Sequence, residues 1–123
     1  MFETAWIVEG VEPRDGYRIG PQQWLVVHRQ RRDDYEQQRD AIIAAGGALF
    51  DVSDARVPIR ADGEALAKGC GLDFERFPVG ECRATLLARV AVLIIREEAG
   101  FVVLVPRSYA ESLRAWLNSV PGT

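Results

Sequence analysis

A chain of 123 residues, 48% hydrophobic and 27% charged, has the composition of an ordinary globular domain. At that length it buries about two thirds of the surface its unfolded chain exposes, enough for one domain spanning residues 1–123. The net charge of −3 gives no basic footprint for nucleic acid or an anionic membrane, and no apolar stretch reaches membrane-spanning length.

The first ten residues carry Glu3 and Glu9 and no basic start, so they do not read as a secretory leader. Two cysteines are too few for a disulfide scaffold, which suggests buried thiols in a reducing cytoplasm. Residues 4–9, TAWIVE, read as a short strand. Pro13 and the Asp15-Gly16 pair mark a turn or loop. Tyr17 to Ile19 extends the sheet until Gly20-Pro21 breaks it. Trp24 to His28 is rich in β-formers and reads as the next strand. Asp33 and Glu36 then suit the positive start of a helix, with Tyr35, Gln38, Ile42 and Ala45 on one face. Gly46-Gly47 supplies its stop.

Ala48 to Val52 and Val57 to Arg60 are two further short strands, separated by a turn. Asp62 can cap a short helix that runs through Lys68 and ends at Gly69. Gly71 to Gly80 is loop. The longest apolar run follows. In strict alternation Cys82, Ala84, Leu86, Ala88, Val90, Val92 and Ile94 point one way, the pattern of a strand with one buried face. The opposite side starts polar (Arg83, Thr85, Arg89) and ends apolar (Leu93, Ile95), so the strand enters a region covered on both faces. A competing reading makes residues 81–89 helical, because short apolar runs are ambiguous by period. Glu97 to Gly100 forms a turn, Phe101 to Val105 a second strand, and Pro106 ends the hairpin. Ser108 and Glu111 stand at capping-box spacing before a helix whose stripe is Tyr109, Leu113, Trp116, Leu117 and Val120. Pro121 and Gly122 end that helix.

The run F-P-x-G-x-C-x-x-T-L-L-A-R-V-x-V from Phe77, with V-P-R-S-Y-A-E-S-L-x-x-W-L from Val105, resembles the gamma subunit of heterotetrameric sarcosine oxidase. Ile19-Gly20-Pro21-Gln22-Gln23-Trp24-Leu25-Val26-Val27, Asp51-Val52-Ser53-Asp54-Ala55-Arg56 and Ala67-Lys68-Gly69-Cys70 resemble further segments of that family, in its order. The resemblance covers roughly residues 17 to 119. It implies an α+β fold with an antiparallel or mixed sheet and two main helices. This would be one β2-α-β3-α subdomain of the kind found in the folate-binding domain of the glycine cleavage T-protein. It also implies a small assembly or structural subunit that binds no cofactor itself. Its partners would be alpha, beta and possibly delta subunits carrying FAD, FMN, NAD and tetrahydrofolate in oxidative amine demethylation. The chain is shorter than typical gamma subunits. It also lacks about two residues around Ile59 to Ala65, a departure compatible with a related N-methylglutamate dehydrogenase.

The residues themselves offer no catalytic constellation. His28 is the single histidine and follows an apolar strand, so it lacks the partners of a triad or metal site. Cys70 and Cys82 lie outside zinc-ligand spacing and read as packing thiols; their spacing leaves a disulfide between them open. Glu64 to Leu72 imitates a helix-turn-helix turn, but Pro78 and Gly80 interrupt any recognition helix. Asp33 and Asp34 are adjacent and do not face one another as an acid–base pair would. Gly69-Cys70-Gly71 lacks the lysine-serine ending of a phosphate loop. Trp6, Trp24 and Trp116 read as core, with Trp116 a candidate interface anchor if part of it is exposed. Fourteen of the fifteen basic residues are arginine, which fits either codon bias or contact surface. No catalytic, cofactor-binding or metal residue is therefore assigned. A free-standing tetrahydrofolate binder is the alternative to the subunit reading.

Overall fold

A computed structural model describes residues 4–13, 16–28 and 35–120. The fold is α+β with two antiparallel four-stranded sheets, and it falls into two compact units, Met1–Ser53 and Asp54–Thr123.

The first unit contains β1 (Thr4–Glu9), β2 (Tyr17–Gly20), β3 (Gln23–His28), α1 (Tyr35–Ala44) and β4 (Ala48–Asp51). Its sheet order is β2-β3-β1-β4. Alternation puts Trp6, Val8, Trp24, Val26 and Leu49 on one face, where Tyr35 and Ile42 of α1 pack against them. Tyr35 meets Trp6 edge-on, with centroids 5.6 Å apart, and its hydroxyl donates to the Leu49 carbonyl at 3.4 Å. Gln38 and Ala45, placed on the same stripe by sequence, are exposed. Of the predicted stripe only Tyr35 and Ile42 pack on the sheet, and no α1 residue is fully buried. The predicted stop is correct in detail. Gly46 sits at φ 92°, its N–H donates to Ile43 at 3.0 Å, and the Gly47 N–H donates to Ile42 at 2.8 Å. These are the two bonds of a Schellman ending, which needs a residue at positive φ. The predicted cap at Asp33 lies outside the described residues, as does Asp34.

The second unit contains β5 (Arg56–Ala61), α2 (Gly63–Ala67), β6 (Cys82–Leu87), β7 (Val90–Glu97), β8 (Gly100–Pro106) and α3 (Ala110–Ser119). Its sheet order is β5-β8-β7-β6. Leu87, Val92, Ile94, Phe101, Val103 and Val105 form one core with Ala65 and Leu66 of α2, Phe77 of the intervening loop, and Leu113 and Leu117 of α3. Phe101 contacts Phe77 and Phe74 edge-on at 5.3 and 5.1 Å. Each fully buried Leu, Ile or Val contributes roughly 1.5–3 kcal/mol over its exposed state. Leu93, Ile95, Val102 and Leu104 on the opposite face are buried too, as the apolar end of the run predicts.

The long run is not one strand. It folds back at Ala88-Arg89, where φ is 48° and 70°, and pairs Leu87 with Val90. A two-residue turn inverts the parity of the alternation. Cys82, Ala84 and Leu86 therefore share one face, while Val90, Val92 and Ile94 lie on the other with Thr85 and Leu87. Such turns favour Asn-Gly or Asp-Gly, because both central residues take positive φ. Ala-Arg carries no such signal, so the alternation reads straight through the reversal. The helical alternative for residues 81–89 is not what forms.

The Ser108–Glu111 capping box also does not form. A single 3₁₀ turn over Arg107–Tyr109 precedes α3, and no side chain bonds at either cap. Ser108 is thereby inside the turn rather than at the helix boundary. Asp62 occupies the cap position of α2 with extended backbone, but its carbonyl rather than its carboxylate takes the Leu66 N–H. The loop from Gly71 to Gly80 contains one 3₁₀ turn, Phe74–Arg76, whose first N–H groups include Glu75, held by the Asp73 carboxylate at 3.1 Å.

Candidate functional site

Within the second unit, the segments singled out by sequence converge on one another. Arg107 donates from Nε to the Asp54 carbonyl at 2.7 Å, and its backbone N–H donates to Ala55 at 2.9 Å. Arg56 opposes Pro106 across the β5–β8 ladder and donates from a guanidinium nitrogen to the Leu104 carbonyl at 3.0 Å. The D-A-R and V-P-R runs are thus clasped to each other. A second clasp joins Lys68-Gly69-Cys70 to the β6–β7 turn. The Ala88 N–H donates to Gly69 at 2.9 Å, and the Cys70 sulfur lies 3.3 Å from the Thr85 hydroxyl. The Trp116 indole of α3 lies against Gly69, so closely that a Cβ there would come within 2.6 Å of it. Trp116 is only partly exposed, and packs on the core as its stripe position predicts.

In the first unit, Ser53 makes an equivalent tie. Its hydroxyl donates to Asp51 at 2.6 Å and accepts the Ala5 N–H at 2.9 Å, while its own N–H reaches the same carboxylate at 2.9 Å. The Asp51-Val52-Ser53 run therefore prolongs the pairing of β1 beyond the end of β4. These bonds join residues up to 53 apart in sequence and often use backbone acceptors. No spacing rule could have found them.

Burial shifts two titratable groups of the second unit, Cys82 and Arg56. Cys70 and Cys82 are both free thiols. Burial pushes the Cys82 thiol up to about 12, against a smaller opposing pull from Arg56. A thiol so shifted stays protonated near neutral pH and is a poor nucleophile. Burial in turn lowers the Arg56 pKa, with a smaller opposing effect from Cys82. Among the described residues, no three of His, Cys, Asp and Glu gather as a metal site. His28 ends β3; its side chain lies outside what is described.

Among the described residues, each unit carries a shallow depression of about 400 Å³. That of the second unit is lined by Arg60, Asp62, Phe101, Leu117 and Asn118. Arg60 is already paired with Glu97 at 3.1 Å. The other is framed by Gly10, Gln22, Gly46 and Gly47, with Gln23 donating to Glu9 at 3.0 Å. Ligand sites favour apolar clefts in which polar groups are held open toward the ligand. Here Arg60 is turned to Glu97, and Gln23 to Glu9.

These features define an α+β fold in which Arg56, Gly69 and Arg107 tie together elements of the second unit and Ser53 those of the first. No protein-family model matches the chain, and no curated protein matches it by sequence. Among solved structures, the chain is similar to one from the heterotetrameric sarcosine oxidase of Corynebacterium sp. U-96, solved in complex with pyrrole 2-carboxylate. The TM-score is 0.78 at 20% sequence identity, over 93% of this chain and 76% of that one. At that identity the likeness is one of fold.

Proposed function

We propose that this chain is the small, gamma-type subunit of a heteromeric flavin-dependent oxidase or dehydrogenase acting on sarcosine or a related N-methyl amino acid. Its role is assembly rather than chemistry. The observation that carries this reading is the fold likeness across nearly the whole chain to a component of a heterotetrameric sarcosine oxidase. The two coverage figures make that component only about a fifth longer than this chain, a size that supports the small-subunit reading. The internal clasps support the same reading. The segments with family resemblance use Arg107, Gly69 and Cys70 to bind α3, β5 and the β6–β7 turn into one unit. A scaffold spends such residues on rigidity.

On this reading, alpha and beta subunits, and possibly a delta subunit, supply FAD, FMN, NAD and tetrahydrofolate. The assembled enzyme demethylates the amine and passes the one-carbon unit to tetrahydrofolate, with peroxide formed if oxygen takes the electrons. The test is affinity purification of the tagged chain from its native host at moderate salt. A yellow complex containing two or three larger chains, with amine-dependent oxygen uptake or dye reduction, is the expected result. A colourless chain recovered alone would refute the subunit reading, and titration with tetrahydrofolate would then test a free-standing folate binder.

A further inference from the structure

The two sheets have four edge strands, and three of them are blunted. β2 has four residues and a register shift between Arg18 and Gly20. β4 also has only four. β5 carries Pro58 in mid-strand, a residue that cannot donate to an added ladder. β6 has none of these devices. It runs six residues, CRATLL, in unbroken register with β7. Natural sheets block such edges unless something pairs with them.

The register shows which groups are on offer. The two-residue turn makes Leu87 and Val90 a hydrogen-bonded pair, so Thr85 and Arg83 also bond to β7. The bond from Arg96 N–H to Glu81, 3.0 Å, continues the same alternation. Cys82, Ala84 and Leu86 therefore turn their N–H and C=O groups outward. Among the described residues, no backbone group of another element bonds to them. Ala84 is exposed, and Leu86 is 61% exposed.

We propose that β6 pairs antiparallel with β6 of a second copy of this chain, about a two-fold axis at Ala84. In that register Ala84 opposes Ala84 of the other copy as a hydrogen-bonded pair, so the smallest side chain of the edge sits on the axis. Leu86 opposes the buried Cys82, apolar against apolar. Arg83 opposes Thr85, and no like charges are directly opposite, an arrangement that would disfavour pairing. Glu81 at one end comes beside the Ala88-Arg89 turn of the other copy, acid against base. Each outward amide then finds a carbonyl, and two four-stranded sheets become one of eight.

The test is light scattering on the purified chain across a range of concentration, with hydrogen exchange at single amides. A concentration-dependent dimer is expected, in which the Ala84 and Leu86 amides slow their exchange. Ala84→Pro removes the outward N–H and spares the ladder with β7. By symmetry it deletes two inter-copy bonds, so dimerisation weakens roughly tenfold or more. Leu86→Lys, which alters no backbone bond, gives the same direction if the proline variant folds poorly. A chain that stays monomeric at millimolar concentration would overturn the proposal. So would a dimer that survives both substitutions in folded protein. A monomer whose β6 amides are protected only on binding an oxidase subunit would also overturn it, and assign the edge to that partner.

Discussion

Replacing Gly69 with alanine is expected to destabilise the chain although the change is small and the site is not fully buried. A Cβ at Gly69 would stand 2.6 and 2.7 Å from two ring carbons of Trp116 and 3.2 Å from the Ala88 nitrogen. The indole is held among core residues, and the Ala88 N–H is committed to the Gly69 carbonyl. Neither neighbour can simply swing away. Overpacking of this kind costs about 1–3 kcal/mol. Against it stands the gain from a less flexible unfolded chain, about 0.4–1 kcal/mol for glycine to alanine. The steric term wins, leaving a net loss of roughly 0.5–2 kcal/mol, or a fall in Tm of several degrees for a chain of this size. The assay is thermal unfolding followed by circular dichroism, in a double-mutant cycle with Trp116→Phe. Phenylalanine lacks the two ring carbons that collide. The double variant should therefore be more stable than the sum of the single losses by about 1 kcal/mol. Gly69→Ala with unchanged or raised Tm, or strictly additive losses, would refute the account of Gly69 as a contact surface for the indole.

Three further outcomes follow from named contacts. Ser53→Ala strands the Ala5 N–H, on a residue only 8% exposed, and should cost about 1–3 kcal/mol in chemical denaturation while speeding exchange of that amide. Arg89→Gly should raise stability by roughly 0.5–1 kcal/mol. It relieves a φ of 70° worth about 1–2 kcal/mol in an L-residue, less the added freedom of the unfolded chain. The Cys82 thiol, raised by burial to about 12, binds its proton more tightly in the folded than in the unfolded chain. Its contribution is therefore complete below the unfolded thiol range, near pH 9, and is lost as pH climbs toward 12. The stability difference between the parent and Cys82→Ala should shrink over that interval, and at pH 8 a thiol reagent should reach Cys70 well before Cys82.

What the sequence disclosed divides by the range of the interaction. The Gly46-Gly47 stop is local and was legible, since its bonds reach back only to Ile42 and Ile43. The α3 stripe was legible in Leu113, Leu117 and Val120, which are buried, although Tyr109 is half exposed. The reversal at Ala88-Arg89 was not. Its conformation is imposed by the pairing of β6 with β7 and by the Gly69 clasp, not by its own residues. The capping box had the right spacing, but a 3₁₀ turn displaced the helix start past Ser108. Of the motif residues, Gly69, Arg107 and Ser53 could be picked out, but not their tasks, because each acts on a segment distant in sequence.

The topology of the second sheet also orders its own assembly. β6, β7 and β8 follow one another through two-residue turns, so Cys82–Pro106 can close as a meander with almost no loop to restrain. β5 joins the far side of β8 only after the chain between Ala61 and Phe101 has been gathered in, a larger entropic debt that grows slowly with loop length. The clasps of Arg56 and Arg107 fall on that late strand and its neighbour. They are therefore expected to act after the main barrier, as brakes on unfolding more than as guides to folding.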